Sequence, residues 1–165
     1  SKEHFRNIEK WLKPSGFEFE FRSKRPPTDP VNCLLSLTYT LIMGATLSSI
    51  NQVGLDPAFG FLHQDYYGRP SLACDLMEKW RTEIAERFTL RTLNRKELTS
   101  KHFEVGNPAE GYSLTPEGRK IFYAKWFPYL NNEERIVSGF KSKLTFRQAV
   151  LSDVRQFSQY LENLC

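Results

Sequence analysis

The chain has 165 residues, 40% of them hydrophobic and 25% charged, a balance that describes a globular domain and excludes a disordered tail. No uninterrupted apolar run approaches the roughly 20 residues of a spanning helix, so no membrane partner is expected. Its net charge of +4 says little by itself about an anionic partner, and its three cysteines, Cys33, Cys74 and Cys165, lack a CxxC pair, which argues against a disulfide framework or a zinc site and for a reducing, cytoplasmic setting.

Residues 2–13 carry Phe5, Ile8, Trp11 and Leu12 on one stripe and predict a helix, ended by Pro14 and Gly16. The start, SKEHFRNIEKWL, is charged and lacks the apolar core of a signal peptide. It also begins without a cap, so the chain is expected to start inside an element, as a fragment would. FEFEF at 17–21 reads as a short extended piece or a loop. RSKRPPTDP is a basic turn whose prolines forbid a helix interior. Asp29 is a good N-cap with Pro30 at the first helical position, predicting a long helix from Pro30 to Gln52 that stops at Gly54.

Asp56-Pro57 is a second Asp-Pro start and predicts a short helical turn or helix, followed by the loop QDYYGRP. Pro70 and Ser71 open a helix to about Leu90 or Leu93, with Leu72, Leu76, Trp80, Ile84 and, more loosely, Arg87 and Phe88 as its buried stripe. RKELTSKHFEV is a short helix or turn, and GNPAEGYSL a loop with a small hairpin ending at Leu114. Thr115 caps a helix carrying Ile121, Phe122 and Trp126. A final helix over about 144–163 carries Phe146, Ala149, Val150, Val154, Phe157 and Tyr160. The sum is a mainly α-helical domain over residues 1–165.

GFLHQDYYGRPSLACDLME, residues 60–78, is where chemistry concentrates. Asp75 and Glu78 are i and i+3, on one helix face at the margin of the stripe marked by Leu72, Leu76 and Trp80. Such a margin lines a cleft, and it is also where ordinary boundary acids occur. His63 fits either a hydrogen-bonded structural histidine or a metal ligand. One imidazole with carboxylates suits Mn²⁺ or Mg²⁺ better than zinc, and with a basic turn to hold phosphates it points to phosphodiester chemistry on nucleic acid.

RSKRPPTDPVNCLLSLTYTLI, GLDPAFGFLHQDYYGRPSLACDLMEKWR, LNRKELTSKHFE and YSLTPEGRKIF occur in the order found in the CRISPR-associated spacer integrases, the Cas-one family, which the chain resembles over about residues 1–125. The resemblance implies the α-helical catalytic domain alone, with the family's N-terminal β domain absent from this chain. It implies that His63 and Glu78 are metal ligands for Mn²⁺ or Mg²⁺, and that Asp75 is a neighbouring acid supporting the site. The family's third ligand, a Glu in a Gly-x-Glu-Gly stretch, is expected upstream of Ser1; Glu3 and Glu9 are out of register for it. The fragment alone is therefore expected to bind metal weakly and to be weakly active or inactive.

The implied reaction joins the 3′-hydroxyl ends of a prespacer to the CRISPR repeat, both double-stranded DNA. The implied partners are a Cas-two-type protein and a second copy, the intact protein being a homodimer. The alternative is a non-catalytic DNA-binding or assembly module. Arg22, Lys24, Arg25, Asn32 and Arg69 are candidate DNA contacts. For the three basic residues of the turn the plain alternative is a solvated turn. For Asn32 it is a cap-region hydrogen bond, and for Tyr39 a core aromatic rather than a group at the site. Tyr66 and Tyr67 either stack on a splayed base or cover the loop. Arg119 and Lys120 decorate a surface helix.

Overall fold

The longest element is helix α1, Pro30–Gln52, and both of its ends follow from local chemistry. Asp29 Oδ1 accepts the Asn32 amide at 2.8 Å, and the Asp29 carbonyl accepts the Cys33 amide at 3.0 Å, so the expected N-cap forms. At the other end Gly54 takes φ +77°. Its amide reaches the Asn51 carbonyl, and that of Leu55 reaches the Ile50 carbonyl, each at 3.2 Å. This closes the terminal carbonyls in the manner that favours glycine after a helix. The computed structural model of the chain describes residues 8–12, 16–62, 70–131 and 135–164, with the backbone alone at 135 and 136.

After α1, where a short helical turn or helix is expected, a turn forms at 57–58: Asp56 Oδ1 takes the Ala58 amide at 2.9 Å, a local bond that competes with helix. Helix α2, Ser71–Trp80, runs into a π-helical stretch, Arg81–Glu86, and then into α3, Arg87–Asn94. A capped 3₁₀ turn, Ser100–His102, leads to an antiparallel hairpin of β1, Phe103–Val105, and β2, Tyr112–Leu114. Helix α4, Pro116–Asn131, starts at Thr115, whose Oγ1 accepts the Gly118 amide at 3.1 Å. A second hairpin pairs β3, Arg135–Ile136, with β4, Lys143–Leu144. Helix α5, Phe146–Glu162, opens with a capping box between Thr145 and Gln148, which satisfies two orphan donors at once. The chain is mainly α-helical, as its sequence predicts.

The chain divides into two units: Ser1–Tyr39 with Ala85–Trp126, and Thr40–Ile84 with Phe127–Cys165. The first unit contains an aromatic cluster in which Phe88 meets Trp126 at 5.0 Å and Phe122 at 5.5 Å, edge to face. All three are buried; truncating one such ring costs about 3–5 kcal/mol. The second unit gathers Ile50, Leu72, Ala73 and Val154, with Met43, Leu47, Leu76 and Phe157 packed against them.

Several expectations change. By length and composition α1 is long and apolar enough to cross a membrane, although Ser, Thr and Gly interrupt its apolar runs. Its buried Asn32, Thr38, Thr46 and Ser49 are the polar interior of a core helix. Trp11 is 51% exposed, because Ile8 and Leu12, one turn apart, take the buried face. Tyr160 is exposed while Ser158 is buried: steps of four from Val150 through Val154 carry the buried face of α5 away from it. Arg87 is exposed and Glu86 buried. A π turn bonds i to i+5 and so holds more residues than an α turn, which moves the face by one position. Residues 103–105 form a strand, where a helix or turn was expected.

Candidate active site

Helix α2 presents two carboxylates with different surroundings. Asp75 is 6% exposed, and its Oδ2 accepts the backbone amides of Phe61 at 2.7 Å and Leu62 at 2.9 Å. Glu78, three residues on, has 60% of its side chain exposed and pairs with Arg81 at 2.6 Å. About 100° of rotation per residue separates positions three apart by roughly 60°, enough at the margin of a buried stripe to turn one acid inward and leave the other outside.

The strand of chain before His63 is strapped along α2. The Leu72 amide donates to the Pro57 carbonyl at 3.0 Å, and Asp75 holds residues 61 and 62. Gly60 permits the approach: a Cβ there would lie 2.6 Å from the Ser71 Cβ and 3.0 Å from Asp75 Oδ2. Asp75 is thus an anchor for the peptide leading to residue 63. Sequence spacing places Asp75 on the face of Glu78 without revealing this bonding. His63, Tyr66, Tyr67 and Arg69 lie outside the described residues.

The basic turn of the other unit resolves into inward and outward groups. Arg22 donates to Asn32 Oδ1 at 2.8 Å and to Ser36 Oγ at 2.9 Å, and its guanidinium lies 5.4 Å from the centre of the Tyr39 ring. Asn32 has no exposed surface. Its Oδ1 also accepts the Ser23 amide at 2.9 Å, and its Nδ2 donates to the Phe21 carbonyl at 2.8 Å. These bonds bracket residues 21–23 onto the first turn of α1, so Asn32 is a buried hydrogen-bonding residue and not a surface contact. Lys24 and Arg25 are exposed. Tyr39 is buried, and its hydroxyl donates to Glu86 Oε1 at 2.8 Å, which makes it a core aromatic. Glu86 escaped the sequence reading because its burial depends on the π stretch. Burial and the Asp29 carboxylate push the Cys33 thiol up to about 11, so it is a neutral group at ordinary pH and no nucleophile.

Among the described residues no three His, Cys, Asp or Glu side chains form a metal-binding group. Glu78 is the acid in α2 with an exposed carboxylate for a hard cation; Asp75 is committed to two amides. An exposed carboxylate of this kind is a donor that Mn²⁺ or Mg²⁺ could use; here it is paired with Arg81.

The family model for CRISPR associated protein Cas1 matches residues 1–127. A CRISPR-associated endonuclease Cas1 of Thermus thermophilus is 41% identical over 152 residues, covering 91% of this chain and 44% of that protein. Among solved structures, a casposase bound to integration product superposes with a TM-score of 0.84 at 25% identity, over 99% of this chain and 45% of that one. A chain of a Cas6-RT-Cas1–Cas2 complex does so with 0.81 at 25% identity, over 99% and 17%. The chain spans less than half the length of the curated relatives it matches most strongly.

Proposed function

The chain belongs to the Cas1 family, and from that premise we propose that it carries part of the strand-joining centre of a CRISPR spacer integrase, a metal-dependent DNA endonuclease run in the joining direction. The observation that carries this reading is the division of labour on α2: Asp75 anchors the peptide that ends at His63, while Glu78 stands exposed three residues away. The same helix thus carries Glu78 and, through Asp75, holds the backbone of Phe61 and Leu62, the two residues that precede His63 in the sequence.

His63 and Glu78 would hold Mn²⁺ or Mg²⁺, with a third ligand, a Glu, supplied from upstream of Ser1. When bound, the cation supplies Lewis acidity and offsets charge on the phosphoryl oxygens. A prespacer 3′-hydroxyl attacks a phosphodiester of the repeat; one P–O bond forms as another breaks, and the displaced 3′ oxygen takes up a proton. The exchange needs no nucleotide cofactor. Lys24 and Arg25 would hold DNA phosphates, with Arg22 and Asn32 fixing the turn that presents them, and Arg69 would add a further phosphate contact. A Cas2-type protein and a second copy of the chain are the proposed partners, in keeping with a neighbour whose own name is a Cas1–Cas2 complex.

The test is strand joining of a labelled 3′-hydroxyl DNA into a repeat-bearing plasmid by the full natural protein. Joining in Mn²⁺ that is lost in EDTA and in His63→Ala is the expected result. DNA binding without joining under any metal would replace the enzyme with a non-catalytic DNA-binding or assembly module.

A further inference from the structure

The segment 135–152 contains Arg135, Lys141, Lys143 and Arg147 and no acid. Glu133 and Glu134 precede it and Asp153 follows it in the sequence. The segment lies beyond the residues matched by the family model, which end at 127, and it forms the β3–β4 hairpin and the first two turns of α5. Lys141, Lys143 and Arg147 are exposed.

The hairpin is fastened to the helix that carries Glu78. The residue after Glu78 is Lys79, whose ammonium pairs with Asp153 of α5 at 2.7 Å. The same ammonium lies 4.7 Å from the centre of the Trp80 ring and 5.4 Å from that of Phe140. Phe140 stacks on the fully buried Trp80 with centroids 6.4 Å apart. The loop itself turns tightly: the Phe140 amide donates to the Val137 carbonyl at 3.0 Å, with Gly139 at φ +88°, the turn geometry that glycine at the third position allows. Lys79 pairs with Asp153, so its charge and its cation–π contacts serve as an internal clamp, and the hairpin's own Lys141 and Lys143 face outward. A charge cluster on a pinned loop holds a polyanion at a fixed place, which a mobile tail does not.

We propose that the β3–β4 hairpin is a DNA-backbone clamp of the strand-joining centre, with Lys141 and Lys143 contacting phosphates of the DNA beside Glu78. This rests on the proposed function, since DNA is the polyanion that centre acts on. Each phosphate contact releases condensed counterions and adds about 0.9 to the slope of log K against log salt.

The test is fluorescence anisotropy of the full natural protein with a labelled branched duplex DNA, without metal, over about 50–300 mM salt, where such slopes are measured. Lys141→Ala with Lys143→Ala is expected to lower the slope by about 1.8 and to raise Kd roughly tenfold near 0.1 M salt. Lys141→Arg with Lys143→Arg keeps the slope of the unmutated protein, and thermal melting of the alanine pair matches it, because both lysines are on the surface. Binding by the unmutated protein with no change in slope in the alanine pair overturns the clamp and leaves the proposed function standing. No DNA binding by the unmutated full natural protein overturns both.

Discussion

Asp75 and Glu78 are both acids on one helix, and burial divides their work. Asp75 accepts two amides from a nearly inaccessible position; hydrogen bonds to a charged group are worth about 1.5–3 kcal/mol. Glu78 makes an exposed i,i+3 pair with Arg81, of a kind worth about 0–1 kcal/mol. Asp75→Ala is therefore expected to lower stability in urea denaturation by about 2–3 kcal/mol, and Glu78→Ala by less than about 0.5 kcal/mol. Equal losses would contradict the division. Gly60→Ala belongs with Asp75: its Cβ meets backbone-linked atoms of Ser71, and such overpacking costs about 1–3 kcal/mol. The sequence identifies the residue types here but not their directions. Helical period places Asp75 and Glu78 at the margin of a stripe, and only a contact from residues 61 and 62, thirteen or more positions away, decides which acid turns in.

At the scale of elements, what is written locally is legible and what depends on packing is not. Asp29, Gly54, Thr115 and Thr145 end or start helices through bonds to residues three to five positions away, so both ends of α1 and the start of α4 follow from the sequence, whereas the last helix, expected from about 144, starts at Phe146 behind its Thr145 cap. The π stretch Arg81–Glu86 has no such local signature. Trp80, Ile84 and Phe88 step by four, a spacing that drifts across an ideal helix and is kept on one face by a wider turn, yet the same three residues also suit a plain helix stripe. The β3–β4 hairpin has strands of only two residues, too short to show alternation. Asp29 supports α1 twice, accepting the Asn32 backbone amide and the Asn32 side chain. Asp29→Ala is expected to cost about 1–2 kcal/mol in thermal or urea unfolding, with Asp29→Asn recovering most of it. An alanine variant as stable as the unmutated chain would show that the cap does not hold the basic turn.

At the scale of the molecule, each unit contributes charge in a form that matches a polyanion: Lys24 and Arg25 on a turn braced by Asn32, and Lys141 and Lys143 on a hairpin pinned by Lys79. The family and its helical architecture were readable because long segments such as GFLHQDYYGRPSLACDLME combine chemistry and packing in one run. The bracing was not readable, because it joins residues such as Arg22 to Ser36 and Lys79 to Asp153 across the fold. The central claim is that Glu78, with His63, holds the cation that DNA joining requires. Titration of Mn²⁺ into the full natural protein, followed by the electron paramagnetic resonance of the free ion, measures it without any reaction. The expected result is at least about tenfold weaker binding in Glu78→Gln, on the scale of losing part of a metal site, with unfolding unchanged. Binding in Glu78→Gln equal to that of the unmutated protein would contradict the account.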